Sequence, residues 1–182
     1  MEEIQQKRNI KREVEEWLES VMIALAFMIF LFVFVIGIVI VNGDSMDNTL
    51  QDGQRLITLP VFYQAGQGDI VVIHRDEERP IIKRVIACGG QTVDIDFRTG
   101  AVTVDGEMLD EPYVSSQISD YDEDRMLSFP VEVPEDSYFV MGDNRGNSLD
   151  SRYREVGIIR ENQIFGKVVL RIYPFQAMGT DF

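Results

Sequence analysis

The sequence predicts a mainly β fold, an antiparallel β-sheet domain carried behind a single N-terminal transmembrane helix, and three observations predict it. Residues 21–41, VMIALAFMIFLFVFVIGIVIV, carry no charge. Downstream, apolar residues recur with period two or in short runs, not at the 3.6-residue helical spacing. Gly, Asp, Asn and Pro separate those runs, as turn formers do.

At about 1.5 Å per residue, a helix over 21–41 covers the roughly 30 Å hydrocarbon core of a bilayer. The stretch ends in Val-Asn-Gly-Asp and lacks the small-residue exit of a cleavable leader, so it predicts an uncleaved signal anchor. Lys7, Arg8, Lys11 and Arg12 precede it and only Arg55 follows closely. Basic flanks stay on the cytoplasmic side. Residues 1–20 are therefore expected as a cytoplasmic tail, a solvated mixed-charge helix with Trp17 at the interface, and 42–182 as one domain on the outer face of the cell membrane.

Within that domain, 55–59, 69–74, 81–87, 92–97, 101–104, 138–141 and 164–173 read as strands. Arg98-Thr99-Gly100 and Asp105-Gly106 are hairpin signals, and Pro130 and Pro134 punctuate the long connection. The roughly 140 residues beyond the anchor suit a single domain with one core.

A formal charge of −14 argues against nucleic acid as a partner, because phosphate recognition needs a basic patch. The acidic run SDYDED at 119–124, within the loop 115–128, matches no calcium-loop spacing and is expected as a solvated loop. Cys88 is the only cysteine and His74 the only histidine. No thiolate metal cluster or intramolecular disulfide can be built from them, and no metal or other cofactor is expected. Cys88, beside Ile86 and Ala87, reads as a buried strand thiol. His74, at a strand end without an acidic partner, reads as an exposed residue.

Ser45, in GDSMDNTL just past the apolar stretch, is the candidate nucleophile. A serine hydroxyl needs a base within hydrogen-bonding reach, and with histidine set aside a lysine must serve. Lysine serves only as the neutral amine, so its pKa must fall from about 10.4 by several units, which burial achieves. Lys83 lies in PIIKRVI, where alternation puts it on one face with Ile81 and Val85 while Arg84 points the other way. The acidic surroundings push the amine pKa up, but they are screened over roughly 8 to 10 Å, so local desolvation is expected to win.

Three blocks in order, GDSMDNTL at 43–50, GDIVVIHRDEERPIIKRVIACGG at 68–90 and GDNRGNSLDSR at 142–152, resemble the type I signal peptidases of bacteria, from the apolar stretch to the end of the chain. The resemblance implies a membrane-bound serine endopeptidase that removes N-terminal signal peptides from exported precursor proteins. It implies Ser45 as nucleophile, Lys83 as general base, and Ser148 as the hydroxyl that orients Lys83. Asp150 and Arg152 would pair and hold the third block in shape, with Asp143 and Arg145 shaping its approach. Met46 and Ile82 would line apolar pockets for small side chains of the substrate. Partners would be the precursors and the lipid bilayer, with the protein-export machinery a compatible third.

Two positions depart from the family pattern. Gly43 stands where many members have a serine that supplies a second oxyanion donor beside the backbone N–H of Ser45. Asn48 stands where many have proline, although asparagine also suits a turn. Ser45 is expected near the lipid surface, with Leu50, Phe62 and Tyr63 as candidates to dip into it. Two other readings stand beside this one: a serine–lysine protease of the self-cleaving repressor type, disfavoured by the membrane segment and the acidity, and a catalytically silent membrane-anchored β domain that binds exported proteins.

Overall fold

The computed structural model describes the chain apart from residues 1, 35–36, 60–63, 76–78, 119–120 and 181, and for 2–11 and 31–34 it describes the backbone alone. Phe62, Tyr63, two residues of the acidic run and the side chains of Lys7, Arg8 and Lys11 lie outside the described part. Two compact units divide the chain, Met1–Gly37 and Ile38–Phe182.

The first unit is the helix α1, Glu2–Phe34. An Arg12–Glu16 pair at 2.9 Å sits one turn apart on it. Farther along, Met22, Ile23, Phe27, Met28 and Ile29 present apolar side chains that are more than half exposed, Ile23 at 70 % and Phe27 at 62 %.

The expected anchor helix over 21–41 requires correction. The helix ends at Phe34, and Gly37–Ile40 form a strand, β1. Among the described residues no helix is long and apolar enough to cross a membrane. The cause is local sequence and available partners. Ile38 to Val41 are all β-branched and follow Gly37, which favours extended backbone. The Val41 N–H then donates to the Gln54 carbonyl at 2.9 Å, and the Gly53 N–H donates back to the Val41 carbonyl at 3.0 Å.

The second unit holds β2 (Arg55–Leu59), β3 (Ile70–Ile73), β4 (Ile81–Cys88), β5 (Thr92–Asp96), β6 (Ala101–Val104), β7 (Glu107–Met108), β8 (Val131–Glu132), β9 (Ser137–Met141), β10 (Ile159–Arg160) and β11 (Ile164–Tyr173). Seven strands form one sheet in the order β1-β2-β11-β3-β4-β9-β10, and four form another, β7-β6-β5-β8. The registered ladders are antiparallel. Every strand read from the alternation is present. The short strands β7, β8 and β10 are additional, because two residues are too few to show a period.

The hairpins follow their turn chemistry. Asp105 and Gly106, at φ of 53° and 83°, make the two-residue link between β6 and β7. The small sheet packs onto the large one through Val93, Ile95, Val102 and Val104 against Ile86, Phe139 and Met141. A second cluster, Val41, Met46, Leu50, Leu56, Ile70, Val72, Ile82 and Val168, underlies the loop between β1 and β2. Leu50 is fully buried there, so it is a core residue and not one that reaches toward lipid.

Candidate active site

Ser45 sits on the tight loop that joins β1 to β2. Gly43 opens it at φ +81°, a conformation that side chains resist, and its N–H donates to Asp52 Oδ1 at 2.7 Å. Met46 and Leu50, 1 % and 0 % exposed, plug the loop into the core, and Ser45, just before Met46, is half-buried.

Lys83 comes from the middle of β4, where it pairs with Val71 of β3. Its side chain is buried, and Nζ donates to Ser45 Oγ at 2.6 Å. Burial lowers its pKa from the ordinary 10.5 to about 8; the carboxylates of Asp150 and Asp143 pull it up, and the guanidinium groups of Arg152 and Arg75 push it down. With the amine neutral, the same contact lets the serine hydroxyl donate to the nitrogen lone pair. Beside the pair lies a cleft of about 50 Å³ lined by Ile40, Val41, Met46, Pro80 and Ile82. Its volume suits a side chain of one or two carbons. A larger open depression of about 650 Å³ near Glu135, Arg160 and Asn162 includes neither Ser45 nor Lys83.

The third block wraps this pair. Asp150 and Arg152 are fully buried and joined by two hydrogen bonds, Nε to Oδ1 at 2.8 Å and a terminal nitrogen to Oδ2 at 2.9 Å. Arg152 also donates to the carbonyls of Arg145 and Ser148, and the Gly142 N–H donates to Asp150 Oδ2 at 3.0 Å. The pair thus ties both ends of the block together.

Asp143 and Arg145 are both buried but do not pair with each other. Asp143 receives Arg84 in a two-pronged contact at 2.9 and 2.7 Å, and Thr49 donates to its Oδ2 at 2.5 Å. Arg145 instead grips Glu111 at 3.1 and 2.5 Å. Ser148 is buried, yet its Oγ has no hydrogen-bond partner among the described residues, so the expected bond to Lys83 is not formed here. A Cβ on Gly142 would overlap both Ser148 Oγ and the Ser45 carbonyl. Only glycine lets the third block come this close to the loop that carries Ser45.

His74 is exposed at the end of β3, with its N–H bonded to the Gln163 carbonyl at 2.7 Å. Cys88 is half-buried at the end of β4, less enclosed than its neighbours suggest, and burial raises its thiol pKa.

Sequence reasoning missed the segment 111–116, which follows β7. Ser115 Oγ donates to the Asp47 carbonyl, and the Ser115 N–H donates to the Asp143 carbonyl at 3.2 Å. Ser116 Oγ donates to Asn144 Oδ1 at 2.6 Å. Tyr113 lies under the Arg84 guanidinium, 4.0 Å from carbon to ring centre. Nothing in EPYVSS marks it as a clamp, since its partners are remote in the chain. Asn144, inside a block already singled out, was legible as a polar loop residue without a role.

A β domain with a desolvated lysine at hydrogen-bond distance from a serine has the architecture of a serine–lysine hydrolase. The signal peptidase family, peptidase S26, matches residues 14–173. Signal peptidase IB of Staphylococcus aureus (strain COL) is 32 % identical, covering 95 % of this chain and 96 % of that protein. Signal peptidase I S of Bacillus subtilis (strain 168) is 33 % identical, covering 92 % and 94 %. A crystal structure of a signal peptidase I from Enterococcus faecalis V583 is 27 % identical over 58 % of this chain and 97 % of that one, with a TM-score of 0.45. The chain belongs to the signal peptidase family, whose members are serine endopeptidases that remove signal peptides.

Proposed function

We propose that this endopeptidase cuts signal peptides from exported precursors with Ser45 as the nucleophile and Lys83 as the general base. The observation that carries the assignment is the 2.6 Å contact between Lys83 Nζ and Ser45 Oγ inside a site that holds the amine pKa at about 8. Ser45 Oγ attacks the scissile carbonyl while its proton passes to Lys83. The carbonyl π pair moves onto oxygen, where the Ser45 N–H receives it. Collapse expels the amine of the mature protein, which takes the proton from Lys83. Water, deprotonated by the same lysine, then hydrolyses the ester.

The cleft of about 50 Å³ beside the dyad supports small side chains next to the cut, with Met46 and Ile82 forming part of its wall. Ser148, whose buried hydroxyl lacks a partner, is the group available to orient Lys83 as the amine changes charge. The Asp150–Arg152 pair and the Asp143 and Arg145 contacts hold the loop that brings it there. The exposed apolar side chains of α1 between Met22 and Ile29 fit a lipid environment, which supports a membrane-held chain with its basic N-terminal segment in the cytoplasm and residues 42–182 on the outer face.

The test is cleavage of a purified precursor with a small-x-small site by detergent-solubilised protein across pH. Wild-type cutting should rise as pH passes about 8 and vanish in Ser45→Ala and Lys83→Ala. Cutting that survives Lys83→Ala would return attention to His74. Precursor binding without cutting by any form would favour a silent binding domain.

A further inference from the structure

We infer that Asn144 is a positioning residue for oxyanion stabilisation, acting through the peptide that joins Asp44 to Ser45, with Ser116 orienting it. The inference rests on the assignment of Ser45 as nucleophile and of its N–H as oxyanion donor. Asn144 Nδ2 donates to the Asp44 carbonyl at 3.0 Å, and the Asn144 backbone N–H donates to the Ser45 carbonyl at 3.1 Å. The Asp44 carbonyl and the Ser45 N–H belong to one planar peptide unit and point in opposite directions. Holding the carbonyl therefore aims the N–H.

The Asn144 amide is itself oriented. The Gly146 N–H donates to Ser116 Oγ at 2.8 Å, which leaves the Ser116 hydroxyl proton for Asn144 Oδ1 at 2.6 Å. A rotated amide would set its oxygen against the Asp44 carbonyl, so one orientation satisfies the whole chain. The chain runs in one direction: Gly146 N–H to Ser116, Ser116 to Asn144, Asn144 to the Asp44 carbonyl. Each donation polarises the next group, and the last withdraws electrons from the peptide whose N–H faces the oxyanion. The Asp44 carbonyl also accepts the Asp47 N–H at 3.1 Å within the loop, and Asn144 adds the hold from outside it. Gly43 carries no side-chain hydroxyl to share the oxyanion charge.

When Ser45 Oγ adds to the scissile carbonyl, its proton goes to Lys83 and the π pair to oxygen. Asn144 matters only once that charge develops. Removing one direct donor from such a site costs about 10² to 10³ in rate, so loosening its orientation should cost about 10- to 100-fold.

The experiment uses the full chain in detergent. Asn144→Ala, Asn144→Asp, Ser116→Ala and Ser116→Thr are compared for kcat and KM on an Ala-x-Ala peptide, for inhibition by a peptide boronic acid ending in alanine, and for thermal unfolding. Asn144→Asp keeps the acceptor for Ser116 but loses the donor to Asp44, so it should fall with Asn144→Ala. Both should lose kcat at nearly constant KM and lose boronate affinity by a similar factor, because the boronate bonded to Ser45 carries its charge where the oxyanion does. Ser116→Ala should lose less, and Ser116→Thr should recover most of that loss. The apparent pKa near 8 in the rate profile should stay put in all four.

Loss of rate with undiminished boronate affinity, or loss confined to KM, would overturn the role, as would a shifted pH profile. Unfolding of both Asn144 variants shifts the decision to the Ser116 pair, where equal activity of Ala and Thr overturns it. Ser45→Ala runs beside them: cutting retained there would sink the nucleophile assignment itself, a failure separate from this one.

Discussion

Lys83 and Arg84 are adjacent cations on β4, 3 % and 4 % exposed, and the structure treats them in opposite ways. Arg84 makes a two-pronged contact with Asp143, donates to the Gly68 carbonyl at 2.9 Å and stacks on Tyr113. Its charge is compensated on every side. Lys83 has Ser45 Oγ as its hydrogen-bond partner, a neutral group, and feels carboxylates only at longer range. Burial that is matched by an anion stabilises a permanent charge; burial without one removes a labile charge. The guanidinium cannot lose its proton, whereas the amine can, and the strand assigns each to the face that suits it.

Exchanging the chemistry of the two positions should give the largest effect. Lys83→Arg places an unremovable charge where no anion pairs with it, and activity should fall by about 10⁴-fold or more, to the level of Lys83→Ala, in a peptide cleavage assay. A variant retaining even a tenth of the wild-type rate would break the comparison. Next comes the compensated side. Arg84→Met leaves Asp143 buried without its partner and should cost about 3 to 5 kcal/mol in denaturant unfolding, with the double variant Arg84→Met/Asp143→Leu recovering part of it.

Lys83→Met should abolish cutting yet raise stability by about 3 kcal/mol at neutral pH, by removing an amine that burial disfavours. The sign follows from proton counting. Between about 8 and 10.5 the unfolded chain holds the lysine proton more tightly than the folded one, so wild-type stability rises with pH across that window. The variant should lack that rise, which unfolding at pH 7 and pH 10 would reveal. Smallest is His74→Ala: the side chain is exposed and outside the site, so rate and pH profile should stay within about twofold, as expected of a surface position.

Alternation along the chain predicted 81–87 as a strand and put Lys83 and Arg84 on opposite faces, and both hold. It could not say that the second face is also buried. That depends on Tyr113 and on Asp143, which follows β9, a strand remote in sequence that pairs with β4. The 21–41 stretch shows the reverse error. Its uniform hydrophobicity reads as one helix, yet the β-branched end at Gly37–Ile40 is drawn into the sheet by partners on β2. Ser148 and Asn144 both lay in a block recognised as a unit. Its letters did not show that one hydroxyl would stay unpartnered while one amide pinned the Asp44 carbonyl.

Residue chemistry and local period were enough to establish a β-rich domain, a candidate serine and a candidate lysine, because alternation and turn formation are decided within a few neighbours along the backbone. Folding decided which buried charge is paired, how far the amine pKa falls and which peptide carbonyl the Asn144 amide holds. Those outcomes depend on desolvation and on hydrogen bonds between segments far apart in sequence, such as Ser45 with Lys83 and Arg84 with Asp143. Such contacts have no periodic trace in the chain, and their energies exist only once water has been excluded around them.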